Sequence, residues 1–170
     1  MFNFCPLCRS EEILFDGLKH YKCRKCTWSY FHNVAAAAGV FITINNKLLF
    51  TIRAKDPARG LLDLPGGFVD PGESAEQAVL REIREELYLA EDISLTFLGT
   101  APNIYPYDNV IYHTLDLVYT ATLTKMPEIR DPDEIAELVL YHINEVPFDQ
   151  LAFDSVKTAF RLLKEKITSL

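Results

Sequence analysis

Length, composition and charge set the first limits on this chain. It has 170 residues, of which 49% are hydrophobic and 24% are charged, a balance typical of globular rather than disordered or fibrous proteins. Its formal net charge of −7 makes it a poor general binder of nucleic acid, whose phosphates require a basic surface. We therefore expect one domain of ordinary size with a small appendage, and we do not expect nucleic acid as a partner.

The least charged stretch near the N-terminus is too short to cross a membrane. Residues 34–44 form a run of 11 residues that is rich in alanine. A membrane-spanning helix needs about 20 apolar residues. Two cysteines also occupy the place where an apolar leader would lie. We therefore expect no membrane association and a cytoplasmic location.

The four cysteines form two Cys-x-x-Cys pairs separated by 14 residues: Cys5, Cys8, Cys23 and Cys26. Two such pairs offer four thiolates to one ion in the closed tetrahedral arrangement of structural zinc. The alternatives are disulfides, a redox-active pair and an iron site. Disulfides are typical of secreted proteins, and the sequence shows no secretory leader. A redox-active Cys-x-x-Cys would use one cysteine pair and leave the other without a role. Iron takes the same four ligands as zinc, so the sequence does not separate the two metals. We favour structural Zn²⁺, since a closed site leaves no open position for catalysis.

The residues between the cysteine pairs predict a very small module. Apolar segments at 13–15 and 18–21 flank Asp16 and Gly17, a pair that favours a hairpin turn. About 30 residues cannot bury much core, so a metal ion must supply folding free energy. We therefore predict a zinc ribbon over residues 1–32 and a separate domain over residues 33–170.

From residue 34 onward the pattern predicts strands and two helices. The expected strands are residues 34–44, 47–53, 61–68, 93–101, 110–123 and 138–143, with a loop at 127–133. The expected helices are residues 74–89, which begin with Ser74 and Gln77 at capping-box spacing, and residues 154–167. This mixed order predicts an α+β protein arranged as an α/β/α sandwich.

Acidic residues are concentrated around the first predicted helix. From Asp70 to Asp92 there are eight acids and only two bases, Arg81 and Arg84. Such crowding destabilises a fold unless a cation relieves it, and a divalent metal ion is the obvious candidate.

The helical wheel of this segment separates its carboxylates. At about 100° per residue, Glu82 and Glu86 fall at the edge of the apolar stripe, while Glu85 lies further round. A solvated charged face is the alternative interpretation. Unpaired carboxylates at a buried edge are costly, however, and Mg²⁺ or Mn²⁺ would make them a set of oxygen ligands.

Eight residues of this segment occupy the specified positions of a family motif: Gly67, Glu73, Arg81, Glu82, Ile83, Glu85, Glu86 and Leu89. They resemble the Nudix box, in which a glycine, five residues, Glu and seven residues precede Arg-Glu-aliphatic-x-Glu-Glu-x-Gly-aliphatic. Tyr88 stands where the box has its helix-ending glycine, and every other specified position agrees. The resemblance implies the Nudix fold and hydrolysis of a nucleoside diphosphate linked to another group, X.

The resemblance assigns a catalytic Mg²⁺ or Mn²⁺ to four ligands: the Gly66 carbonyl, Glu82, Glu85 and Glu86. It pairs Glu73 with Arg81, an ion pair that orients the loop against the helix. The catalytic base would be one of the box glutamates or a later residue, Glu134 or Glu137. It would take a proton from a water that the metal activates.

A zinc ribbon joined to a Nudix domain is similar to the architecture of NADH pyrophosphatases, which hydrolyse NADH and can remove NAD caps from RNA. These enzymes carry Ser-Gln-Pro-Trp-Pro-Phe-Pro after the box. Residues 100–106 match it only in part, since Ala101 and Asn103 replace the Gln and the Trp. The chain thus resembles a shortened relative that acts on NADH, ADP-ribose or another dinucleotide. Similar enzymes often dimerise, so a homodimer is one expectation.

Several side chains outside the box are candidates for substrate binding. Tyr105, Tyr107 and Tyr112 could stack on a nucleobase, with packing in the strands as the alternative. Arg53 could contact a phosphate. Two other functions remain open on a Nudix scaffold, a nucleotide-sensing transcriptional regulator and an RNA-end-processing protein. The intact set of box glutamates favours an enzyme.

Overall fold

The computed structural model describes residues 2–89, 92–108 and 110–168. Glu91, one of the eight clustered acids, lies outside the described residues. The chain divides into two compact units, Met1–Val34 and Ala35–Leu170. Within the described part of the chain, no helix has both the length and the apolar character needed to span a membrane.

The first unit contains a three-stranded antiparallel sheet in the order β1 (Ile13–Phe15), β2 (His20–Cys23) and β3 (Ser29–Phe31). The predicted hairpin is confirmed. The Asp16 carboxylate closes its turn by accepting the backbone N–H groups of residues 18, 19 and 20 at 2.8, 2.8 and 3.0 Å. The third strand was not predicted, since no turn signal like Asp16-Gly17 precedes it.

The second unit is a mixed sheet between two helices. Its described strands are β4 (Ala35–Ile44), β5 (Lys47–Arg53), β6 (Leu62–Asp63), β7 (Gly66–Phe68), β8 (Leu87–Tyr88), β9 (Thr96–Tyr107), β10 (Val110–Leu123), β11 (Glu128–Ile129) and β12 (Ile135–Tyr141). The helices are α1 (Ala75–Glu86) and α2 (Asp154–Thr168), with a short 3₁₀ turn at Phe148–Gln150. The main sheet has the order β12-β5-β4-β10-β9, and its only parallel neighbours among these strands are β4 and β10.

Alternating residues of β4 build two hydrophobic cores on opposite faces of the sheet. Val40 and Ile42 pack with Ile83 of α1 on one face. Phe41 packs with Phe160 of α2 on the other face. Successive strand residues point to opposite faces, so each helix covers one side. The predicted α/β/α sandwich is confirmed.

The sheet opens between β4 and β5, and this opening positions the site. The two strands pair at their hairpin, through residues 42–44 and 47–49. Further along, β7 pairs with β4 and β6 pairs with β5. The first half of β4 reads Ala-Ala-Ala-Ala-Gly over residues 35–39. Alanine and glycine are disfavoured in strands, and their small size here leaves room beside the sheet.

Helix α1 ends three residues earlier than predicted. Ser74 caps its start with the expected capping box, and Leu87 leaves the helix with φ −132° and ψ 144°. Leu87 and Tyr88 then pair with β11. Strand β11 itself lies inside residues 127–133, which were predicted to be a loop. Tyr88 therefore lies in an extended strand, where glycine's conformational freedom is not required.

Strand β9 also differs from its prediction, which ended at residue 101. Pro102 and Pro106 lie inside the strand rather than ending it. Strand β9 is at the end of the sheet order, and an edge strand tolerates the missing N–H of proline.

Candidate active site

The first unit gathers its cysteines into one cluster. The sulfur atoms of Cys5, Cys8, Cys23 and Cys26 all lie within 4.8 Å of one another. The Cys5–Cys26 and Cys8–Cys23 Sγ–Sγ distances are 3.6 and 3.7 Å. A disulfide needs about 2.05 Å. Four Zn–S bonds of about 2.3 Å in a tetrahedron place the sulfurs about 3.8 Å apart, so the cluster fits a tetrahedral metal site.

The second unit contains a cavity of about 410 Å³ at the opening between β4 and β5. This volume lies within the range of small-molecule sites. Seven of the predicted site residues line it: Arg53, Gly66, Glu82, Glu86, Tyr105, Tyr107 and Glu134. Glu85, Glu137 and Tyr112 are not among the lining residues.

The two carboxylates at the edge of the apolar stripe are those that α1 buries. Glu86 is only 7% exposed, and its Oε2 accepts a hydrogen bond from the Gly66 N–H at 3.2 Å. Burial, followed by the charge of Glu82, raises the pKa of Glu86 well above its ordinary value. Burial also raises the pKa of Glu82, although Arg81 opposes this shift. Glu85, further round the wheel, has a side chain that is 59% exposed.

Two glycines let the loop before α1 approach its neighbours closely. Gly66 has φ 146°, and a Cβ there would overlap the backbone carbonyl of Ala38. A Cβ on Gly67 would overlap the Glu82 carboxylate. Gly66 thus fixes the loop against β4, and Gly67 makes room for the side chain of Glu82.

Arg81 connects the loop to the acids of α1. Its Nε and Nη2 donate to the two oxygens of Glu73 at 2.8 and 3.1 Å, and its Nη1 donates to Glu82 and Glu85 at 2.7 and 3.1 Å. Hydrogen bonds from Arg81, and then from the Asp70 N–H, lower the pKa of Glu73. Of the described residues, only the cysteines bring three or more candidate metal-ligand atoms within 4.8 Å of one another. Arg81 thus holds Glu82 and Glu85, the Gly66 N–H holds Glu86, and the three carboxylates are not gathered around a common point.

The structure separates the two later glutamates. Glu134 lines the cavity and forms a close ion pair with Lys55. Its charge also contributes to the raised pKa of both Glu82 and Glu86, so it faces the same acids. Glu137 lies beyond the irregularity in β12 and is exposed.

Arg53 lines the cavity, but other groups already engage its guanidinium. Its Nε donates to the Pro57 carbonyl and its Nη1 to Asp63, both at 2.7 Å. The guanidinium lies 5.1 Å from the ring centre of Phe153. The ring of Tyr105 is 5.3 Å from the same ring, so Arg53 supports an aromatic wall.

Sequence reasoning missed most of the polar residues on the floor of the cavity: Asp63, Asn103, Thr114, Asp116 and Ser155. The sequence predicted a strand at 110–123 but assigned no site residue to its alternating polar positions. The small residues of β4 were the available signal. Ala37 is the register partner of Asp116, which leaves space above that carboxylate.

A family model described as the NUDIX domain matches residues 33–163. The chain therefore belongs to the Nudix family. It is 34% identical to an ADP-ribose pyrophosphatase of Methanocaldococcus jannaschii over 129 residues, which cover 75% of this chain and 72% of that protein.

Two further matches extend this comparison. A NAD-capped RNA hydrolase of Stutzerimonas stutzeri is 29% identical over 145 residues, or 85% of this chain, but this chain spans only 50% of that protein. The crystal structure of a MutT NUDIX hydrolase from Burkholderia pseudomallei superposes with a TM-score of 0.66 at 28% identity. That superposition covers 76% of this chain and 98% of the other.

Proposed function

We propose that this protein is a metal-dependent hydrolase that cleaves the pyrophosphate bond of a nucleoside diphosphate linked to X. ADP-ribose and NADH are the substrates we favour. The observation that carries the proposal is the pair of carboxylates on the wall of a cavity large enough for a nucleotide, a buried Glu86 and a partly buried Glu82. The similarity to an ADP-ribose pyrophosphatase supports the same reaction.

The burial of Glu86 is the reason to place a cation here. An ionised carboxylate that is nearly enclosed is unstable without a partner of opposite charge, and one hydrogen bond from Gly66 does not supply that charge. We assign Mg²⁺ or Mn²⁺ to Glu82, Glu86 and the Gly66 carbonyl, with Glu85 as a further ligand. When bound, the ion neutralises the pyrophosphate and lowers the pKa of the attacking water. Hard carboxylate and carbonyl oxygens suit both ions.

We assign the general base to Glu134. Its carboxylate faces the acids of α1 from the turn just before β12, so a water between them can pass it a proton. Lys55 holds this carboxylate in one place at the rim. Glu73 and Arg81 act as orienting residues, because their paired hydrogen bonds fix the loop that carries Gly66.

We assign structural Zn²⁺ to the cysteine cluster. The sulfur spacing and the four-thiolate donor set support this assignment. Backbone N–H groups of Cys8 and Lys25 also approach Sγ of Cys5 and Cys23 at 3.5 and 3.3 Å, which stabilises thiolates.

A substrate panel tests the proposed reaction. Purified protein is incubated with ADP-ribose, NADH, FAD, dinucleoside polyphosphates and deoxynucleoside triphosphates, with Mg²⁺, Mn²⁺ or EDTA, and the products are separated by chromatography. We expect ADP-ribose to give AMP and ribose 5-phosphate only when a divalent ion is present. Absence of turnover of every compound with both ions would contradict the proposal.

The base is tested with two variants three residues apart, one just before β12 and one within it. We expect Glu134→Gln to lower kcat about 10²- to 10⁴-fold with a small change in KM, since the residue acts in proton transfer. Glu137→Gln, within β12 and outside the cavity, is the control and keeps its activity. Equal losses in both variants would remove Glu134 as the base.

A second candidate substrate is RNA with a NAD cap. It is favoured by the similarity to a NAD-capped RNA hydrolase, although this chain spans half of that protein. Competition between NADH and a short NAD-capped RNA would decide the matter. A higher kcat/KM for the RNA would show that the capped RNA end is the preferred substrate. An equal or lower value would favour the free dinucleotide NADH as the substrate.

A further inference from the structure

One face of the cavity carries polar side chains that the proposed reaction does not use. Asn103 of β9 is 8% exposed and is the register partner of Thr114 in β10. The Thr114 hydroxyl donates to Oδ1 of Asp116 at 2.6 Å. Direct register partners share a face, and Thr114, Asp116 and Val118 alternate along one strand. All these side chains therefore lie on the face that α2 covers, where Val118 packs.

Two other acidic groups that line the cavity, Asp63 and Glu134, are already engaged. Asp63 accepts from Arg53 at 2.7 Å and from the Leu64 N–H at 2.9 Å. Glu134 is paired with Lys55. Among the residues that the structure describes, the side-chain amide of Asn103 makes no hydrogen bond, and Oδ2 of Asp116 accepts none. Buried amides are normally hydrogen-bonded, so an open one beside a cavity is available to a ligand.

The space next to these groups results from the residues of β4. Ala37 is the register partner of Asp116 and Gly39 that of Val118, so no large side chain fills the volume above them. Tyr105 and Phe153 bring two aromatic rings to the same cavity, with their centres 5.3 Å apart. The chamber thus combines flat apolar walls with an amide and a carboxylate, and the α1 acids Glu82 and Glu86 line the same cavity.

We propose that Asn103 and Asp116 bind the adenine ring of the substrate and recognise its amino group. This proposal rests on the proposed pyrophosphohydrolase function. An asparagine amide pairs with the amino donor and the neighbouring ring nitrogen of adenine through two hydrogen bonds. The free oxygen of Asp116 accepts the second N–H of the amino group. Asn103 stands where the NADH pyrophosphatase motif has Trp, so this recognition does not follow from that motif.

To pair with Asn103 and Asp116, a ligand must have a planar ring whose edge carries an amino donor next to a hydrogen-bond acceptor. The nicotinamide carboxamide of NADH presents a similar pair. Adenine is favoured because ADP-ribose and NAD, the compounds named for two relatives, have it in common. Deaminated analogues separate the two rings, since they change the amino group of adenine and leave nicotinamide intact.

The test compares kcat/KM for ADP-ribose and for inosine diphosphate ribose, in which a carbonyl replaces the amino group. The wild-type protein is expected to prefer ADP-ribose about 10- to 100-fold. Asn103→Leu is expected to bring the two substrates within about threefold, mainly by raising KM for ADP-ribose. His113→Leu, an exposed position of the neighbouring strand β10 on the opposite face, is the control and keeps the preference.

Three results would overturn the proposal. The first is a wild-type protein that does not distinguish the two substrates, and the second is an Asn103→Leu variant that keeps the preference for ADP-ribose. The third is an Asn103→Leu variant whose kcat/KM falls equally for NADH and deamino-NADH but is unchanged for ADP-ribose. If Asn103→Leu does not fold, Asp116→Asn takes its place with the same expectation. Calorimetric binding of AMP against IMP separates this proposal from the reaction itself. Tighter AMP binding that Asn103→Leu abolishes supports it even if no substrate turns over.

Discussion

The two groups of candidate metal ligands in this chain are built in opposite ways. The four cysteines already stand at tetrahedral spacing, with sulfurs 3.6 and 3.7 Å apart. The box glutamates are not gathered, because Arg81 holds Glu82 and Glu85 on one of its nitrogens. The cysteine set has the spacing of a tetrahedral site, whereas under the proposed function the glutamate set would rearrange when a cation and its substrate enter.

The packing of each unit explains this difference. In the described part of the first unit the buried residues are Cys5, Tyr21 and Cys23, so two of the three belong to the cysteine cluster. The second unit has two hydrophobic cores, one on each side of its sheet. Under the proposed function, a metal would contribute folding free energy in the first unit and reactivity in the second.

The largest expected effect comes from the most buried acid. We expect Glu86→Gln to lower kcat/KM about 10²- to 10⁴-fold, because it removes a charged ligand without changing the shape of the side chain. Glu85→Gln, on the exposed side of α1, should cost about 10-fold or less. Steady-state kinetics with the best substrate of the panel measure both. A reversed order would show that burial does not identify the primary ligand.

The second expected effect concerns the first unit. We expect Cys23→Ser to lower the bound zinc from one ion per chain to none and to unfold the three-stranded sheet, because two thirds of its buried residues are cysteines. Hydrolysis of ADP-ribose should remain within about threefold of wild type, since the second unit has its own cores. Metal analysis and NMR spectra measure the two outcomes. Ser10→Ala, a nearby non-ligand, is the control.

A sharp loss of hydrolysis together with the zinc would contradict this contrast. It would mean that the first unit takes part in the reaction rather than standing beside it. The glutamate and cysteine variants thus test the comparison from both sides.

The sequence was most informative where a pattern has one structural meaning. The wheel separated Glu82 and Glu86 from Glu85, and the burial of the three side chains follows that order. The cysteine spacing predicted a cluster that the structure brings together. Both patterns are local, so a few neighbouring residues determine them.

The sequence was least informative where distant strands meet. Asn103 and Asp116 belong to strands that pair with a register no local pattern reveals. Alternation showed that Thr114 and Asp116 share a face, but it could not show whether that face meets solvent or a cavity. The end of α1 was misplaced for a similar reason, because β11, about 40 residues further on, pairs with Leu87 and Tyr88.

A smaller effect is expected at the two glycines before α1. Gly67→Ala would push against the end of the Glu82 side chain, which can move, so we expect a loss of about 10-fold in kcat/KM with little change in melting temperature. Gly66→Ala would meet backbone atoms at a φ of 146°, so the fold itself is expected to be destabilised by about 2 kcal/mol or more. Thermal unfolding and kinetics of both variants separate geometry from stability. Similar melting temperatures for the two variants would contradict the assignment of Gly66 to the stability of the fold and of Gly67 to the geometry of the site.

The smallest expected effect is a dependence of metal-free stability on pH. Burial, and then the charge of Glu82, raise the pKa of Glu86 well above the ordinary value of 4.5. The folded protein then keeps a proton that the unfolded chain releases, so stability falls as pH rises from the ordinary pKa to the raised one. Glu86→Gln has no such proton to lose. In EDTA, we expect the melting temperature of the variant minus that of wild type to increase by about 2–6 °C as the pH is raised from about 5 to about 8.

Glu85→Gln is the matched control for this measurement, since its side chain is exposed and its loss leaves the buried carboxylate in place. It should follow the wild-type curve, and adding Mg²⁺ to the wild-type protein should reduce the fall at high pH. Parallel curves for wild type and Glu86→Gln would mean that the buried carboxylate is ionised in the folded protein without a metal. The glutamate set would then resemble the cysteine set in being complete before its ion arrives, and the contrast between the two groups would fail.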